Sequence, residues 1–115
     1  MKAYQISFSQ KYEKLKQNKF TTVRWLDKEY VVGKAYEVVL IADNLFHQKY
    51  NKGKARIIKL EIETLRTLSD DFIQHDADCT REEFMKMMER WYGKKPNWKG
   101  LDSEVQIITC EWVKL

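Results

Sequence analysis

Lys19-Phe20-Thr21-Thr22-Val23-Arg24-Trp25 is the stretch on which the fold reading turns. It follows a short helical pattern and opens a strand. Alternate side chains of a strand share a face. Thr21, Val23 and Trp25 therefore point one way, as the better core face, and Thr22 and Arg24 point the other. A hydroxyl beside a guanidinium suits a face that opens into a cleft. Lys19 lies at the turn before the strand, which would let its amine swing towards Thr22. An amine, a hydroxyl and a guanidinium together could recognise or attack a polar, electron-rich group. The plain alternative is an ordinary strand with exposed charges.

On the N-terminal side, Tyr4, Ile6 and Phe8 alternate with Gln5 and Ser7, the pattern of a half-buried strand. Ser9 is placed to cap a helix from about Gln10 to Gln17. Tyr12 and Leu15 of that helix would face the core, with the lysines between them facing water. Asn18 would close it in the left-handed conformation. On the C-terminal side, Asp27-Lys28-Glu29 and Gly33-Lys34 read as turns. Tyr36 to Ala42 reads as a buried strand, and 43–54 as a polar connection. Ala55 to Thr64 reads as a long strand, in which the adjacent Ile57 and Ile58 imply a bulge. Ser69 caps a short helix. Thr80-Arg81-Glu82-Glu83 is a capping box opening a longer helix to about Tyr92. Phe84, Met87, Met88 and Trp91 form its apolar stripe, read as core rather than as a partner groove. Gly93 ends that helix, and Glu104 to Val113 is a closing strand. The expected class is α+β, with a curled, mostly antiparallel sheet and two or three flanking helices.

A length of 115 residues suits one domain, 1–115, without internal repeats or a linker. Hydrophobic residues at 43% and aromatic residues at 13% are enough for one core and argue against disorder. A net charge of +4 is a mild basic bias, compatible with a nucleic-acid partner. Cys79 and Cys110 form no CxxC pair and read as reduced thiols. No apolar run is long enough for a membrane span, and the N-terminus has no cleavage signature. The expectation is a cytoplasmic monomer with no membrane partner. His75-Asp76-Ala77-Asp78-Cys79 does not have a zinc spacing, so no metal or other cofactor is expected.

Three blocks in order carry a family resemblance. They are Lys19 to Arg24, Tyr30-Val31-Val32-Gly33, and Thr67-Leu68-Ser69-Asp70 followed by an acidic segment and a helix ending in Trp91-Tyr92-Gly93. In this the chain resembles small ASCH-domain proteins, relatives of the PUA-like RNA-binding domains. The first block is similar to the family's Lys-Thr-x-Thr-x-Arg, with Phe20 at the first Thr and Asn18 where the family usually has Gly. The resemblance covers nearly the whole chain and implies a PUA-like small β-barrel. Some members hydrolyse the acetyl amide of N4-acetylcytidine nucleosides. By that resemblance Lys19, Thr22 and Asp76 are the catalytic set, with Asp76 where relatives carry Glu. Thr21 and Arg24 are the substrate contacts.

The chemistry asks much of such a lysine. A threonine hydroxyl needs a base to take its proton. Lysine can be that base only if its pKa falls well below about 10.4. Burial and a nearby Arg24 push it down, and a carboxylate pushes it up. A second class of function is RNA binding without turnover. Loop 43–54 offers Phe46, His47, Lys49, Tyr50, Lys52 and Lys54, and the 93–99 loop offers Lys94, Lys95, Trp98 and Lys99. Aromatics interleaved with cations suit single strands. The plain alternative is two solvated loops. A ribonuclease, with only His47 and His75 as imidazoles, ranks third.

Overall fold

Five strands form, β1 (Gln5–Phe8), β2 (Lys19–Arg24), β3 (Ala35–Ile41), β4 (Lys49–Thr64) and β5 (Glu104–Trp112). Burial alternates in β1, but β3 and β5 are buried on both faces through the middle. The computed structural model describes residues 2–10, 12–41 and 49–114, with only the backbone for 49–52. The strands make one mixed sheet in the order β1-β3-β4-β5-β2. β1 runs parallel to β3, and the three other pairings are antiparallel. The helices α1 (Asp70–Ala77) and α2 (Arg81–Tyr92) are inserted between β4 and β5, which makes the class α+β. No helix among the described residues is long and apolar enough to cross a membrane.

β1 and β2 are the two ends of the sheet, yet its curl brings them together. The Phe8 and Phe20 rings meet edge to face with centroids 6.0 Å apart. The Arg24 guanidinium donates to the Ser7 carbonyl across the same gap. No backbone ladder joins β1 to β2 among the described residues, so the sheet is curled but open. Strand β4 bends through irregularities. At the expected bulge its register with β5 shifts between Ile57 and Lys59, leaving Ile58 as the extra residue. Ile57 is fully buried and Ile58 is 38% exposed. A second shift lies opposite Val38 and Val39. There Gly53 takes φ 124°, a conformation that side-chain-bearing residues rarely adopt. The start of β4 also occupies part of the expected 43–54 connection.

Both helix starts follow from their caps. Ser69 accepts from Phe72 N at 3.0 Å, and Thr80 and Glu83 complete the capping box reciprocally. Phe84 and Met88 carry the apolar stripe into the core. Trp91, expected beside them, is instead 44% exposed, because the last turn of α2 overhangs a pocket.

The N-terminal helix is the main correction to the local reading. Only a single 3-10 turn forms, Glu13–Lys16, and Tyr12 rather than Ser9 precedes it, without a side-chain cap. Side chains three apart eclipse in such a turn, so the face assignments of an α-helix do not apply. Lys14, expected to face water, is 3% exposed. Asn18 does not take the left-handed conformation. Asp78 is the sole non-glycine residue with positive φ among the described residues. The Asn18 carbonyl instead accepts from Trp112 N at 3.0 Å.

Truncation of Phe84 to Ala should lower unfolding free energy by about 3–5 kcal/mol, since the ring is fully buried. Thr80→Ala should lower it by about 1 kcal/mol through loss of the cap. Urea unfolding with an unchanged m-value checks both.

Candidate active site

Strand β2 supplies the centre of the site. Thr22 is buried, and its hydroxyl accepts a hydrogen bond from Arg24 Nε at 2.9 Å. That bond uses a lone pair and leaves the hydroxyl proton available for transfer. The guanidinium lies 5.0 Å over the Phe8 ring and also donates to the Ser7 carbonyl, so β1 holds it in place.

A buried ion pair stands beside it. Lys14 Nζ lies 3.1 Å from Asp76 Oδ1, and the two residues are 3% and 4% exposed. The same carboxylate oxygen accepts from the Thr21 hydroxyl at 2.7 Å. The amine is also 5.2 Å from the ring centroids of both Phe8 and Tyr12. Burial holds the Lys14 amine below the ordinary lysine range. Asp76 opposes that shift and the Arg24 charge assists it. Burial likewise pushes the Tyr12 phenol up.

Thr22, Arg24, Lys14 and Asp76 form the polar corner of one pocket of about 250 Å³. Its other walls are aromatic and thioether side chains, among them Phe8, Tyr12, Phe84, Met87 and Trp91. Neither cysteine competes with Thr22 as a nucleophile. Burial pushes the Cys110 thiol up to about 12. Burial and then the carboxylates of Glu83, Asp76 and Asp78 raise that of Cys79. Among the described residues, no three His, Cys, Asp or Glu side chains gather as a metal site would need.

Lys19 is not in this pocket. It begins the β2 ladder opposite Glu111 rather than preceding it in a turn. Strand alternation therefore binds it and sets it on the face opposite to Thr22 and Arg24. Its side chain is 61% exposed, with Nζ 4.0 Å from Glu111. Thr21 does not line the pocket but tethers Asp76.

The residues considered for RNA binding differ in exposure and partners. Lys54, Lys94 and Lys99 are exposed, and Lys95 pairs with Asp27 at 2.8 Å. Trp98 is half-buried, its ring 6.1 Å from that of Trp25. Phe46 and His47, and the side chains of Lys49, Tyr50 and Lys52, lie outside the described residues. His75 is exposed, away from the Thr22 pocket.

Lys14 is the residue that the sequence did not mark. Its flanking by Tyr12 and Leu15 was a weak signal, and its partner is 62 positions away.

No protein-family model, curated protein or solved structure matches the chain.

Replacing Lys14 with Met should destabilise the fold by about 3–5 kcal/mol, because Asp76 then stays buried without its cation. The double change Lys14→Met, Asp76→Leu should recover much of that loss. The lowered Lys14 value also has a pH signature. Between it and the ordinary 10.5, the unfolded chain holds a proton that the folded one has released. Stability of the wild type relative to Lys14→Met should therefore rise with pH across that window. Urea midpoints measured from neutral pH upward check the sign.

Proposed function

We propose that the chain is an ASCH-type, PUA-like domain that hydrolyses the acetyl amide of N4-acetylcytidine, working as a monomer in the cytoplasm. One observation carries the reading. A threonine hydroxyl, a lysine amine with weakened proton affinity and a carboxylate line one small pocket with aromatic walls. The curl that brings β1 against β2 supports the barrel-like part of the proposal.

The size of the pocket helps to choose the substrate class. Pockets for drug-sized ligands span roughly 300–1,000 Å³. At about 250 Å³ this one suits a single base with a small acyl group, not several stacked nucleotides. Aromatic walls match the faces of a base, and the polar corner matches its amide edge.

In the proposed reaction, Lys14 takes the place that the resemblance assigns to Lys19. Once it has lost its own proton, Lys14 accepts the Thr22 proton as Oγ1 bonds to the acetyl carbon, and the carbonyl oxygen gains negative charge. Arg24 is the nearest fixed cation to the Thr22 oxygen and offsets that charge. Collapse of the tetrahedral species breaks the C–N bond, and the Lys14 ammonium returns its proton to the departing exocyclic nitrogen. Water then attacks the acetyl-threonine ester, giving its proton back through Lys14, and releases acetic acid and free Thr22. Asp76 orients the amine through its 3.1 Å contact and is itself held by Thr21.

Incubating purified protein with N4-acetylcytidine should release acetate and cytidine in equal amounts. Thr22→Val and Lys14→Met should each lower kcat by about 10²–10⁴-fold, the usual worth of positioned proton transfer. Lys19→Ala should leave turnover intact. The rate should rise with pH through a pKa below the ordinary lysine value. Absence of acetate from a folded protein would sink the catalytic reading. The module that binds RNA without turnover has less support, because Trp98, its proposed stacking platform, packs against Trp25.

A further inference from the structure

A second concavity of about 200 Å³ adjoins the Thr22 pocket, and Arg24, Trp91 and Tyr92 line both. The two are compartments of one cleft, and their chemistry differs. The first is mostly apolar with one polar corner. The second has three cations, Arg24, Lys28 and Lys95, against one carboxylate, Asp27, which leaves +2. From this we infer that the second compartment binds the phosphate of the substrate. The substrate would then be a phosphate ester of the acylated nucleoside rather than the free nucleoside. The inference rests on the amidohydrolase reading for the base in the first compartment.

The geometry suits a phosphate. Arg24 engages Thr22 through Nε and the Ser7 carbonyl through Nη2, so three of its five N–H donors are not used by these bonds, and the residue also lines the second compartment. Lys95 meets Asp27 at 2.8 Å but is 41% exposed, and an ammonium has two further donors. The turn that carries Asp27 and Lys28 is held from inside. Buried Gln106 donates from Nε2 to the carbonyls of Trp25 and Lys28, each at 2.8 Å. The cations therefore stand on an anchored turn. Trp91 is exposed on the ridge between the compartments, where core packing does not explain an indole. A ribose crossing that ridge would link a base in the first compartment to a phosphate in the second.

Calorimetric titration of the wild-type protein with cytidine and with its 5′- and 3′-monophosphates reads the phosphate term without turnover. One monophosphate should bind at least about tenfold more tightly than cytidine, as charge-assisted hydrogen bonds imply. That ratio should shrink with added salt. It should fall towards one in Lys28→Ala, Lys95→Ala, and grow in Asp27→Asn, which removes the opposing charge. Because these side chains are exposed, both variants should fold, and circular dichroism checks this. Equal affinity for cytidine and both monophosphates would overturn the inference, as would a ratio that the variants leave unchanged. Acetate release from N4-acetylcytidine, its two monophosphates and a short RNA carrying the acetylated base then separates the two proposals. Release without phosphate preference keeps the hydrolase and removes the phosphate site. Phosphate-dependent binding without release does the reverse. Preference for the monophosphate over the RNA identifies a free nucleotide as the phosphate source, and the opposite order an RNA strand.

Discussion

The buried contact between Lys14 and Asp76 is the constraint to which the arrangement of the site answers. Removing two charges from water is expensive, and their attraction repays it only when geometry and further hydrogen bonds are good. Here Thr21 supplies the further bond, so one carboxylate oxygen ties the N-terminal 3-10 turn and β2 to α1. With α1 held there, α2 crosses the same region and Phe84, Met87 and Trp91 complete the pocket wall. A hydrophobic pair of similar volume would often be as stable.

Arg24 is the second organising group, because it works on both sides of a seam. Its side chain leaves β2, touches the hydroxyl of Thr22 and reaches the backbone of β1. The open edges of the curled sheet are thereby bridged by a side chain where a closed barrel would use a ladder. The polar corner of the pocket lies along that seam. An edge rich in backbone donors and acceptors is a liability unless covered or paired. Here part of it is answered by a guanidinium that also lowers the proton affinity of Lys14. Sheet closure and pocket electrostatics therefore share one residue.

Local patterns carried most of the fold. Alternation in β1, the apolar run of β3, the closing strand β5, the two caps at Ser69 and Thr80, the bulge at Ile57 and Ile58, and the core positions Phe84 and Met88 were all readable. Each depends on neighbours within a few residues. Thr22, Arg24 and Asp76 were also readable as candidates, the first two from strand alternation and the third from family resemblance. Their presence in one pocket is a property of the folded chain.

The identity of the lysine was decided by tertiary structure alone. Read locally, Lys19 adjoins the key strand, and Lys14 is one of several lysines on a short polar helix. The ladder with β5 extends to Lys19 and turns it outward opposite Glu111, while the 3-10 turn and α1 enclose Lys14 with Asp76. Neither outcome is encoded within the reach of a local pattern. The first depends on where strand pairing begins, and the second on a carboxylate 62 residues away. The sequence by itself determined the α+β class, the caps and the face of β2 that bears Thr22 and Arg24. Which cation shares their pocket was settled by long-range packing, because the desolvation that tunes an amine exists only once distant elements close around it.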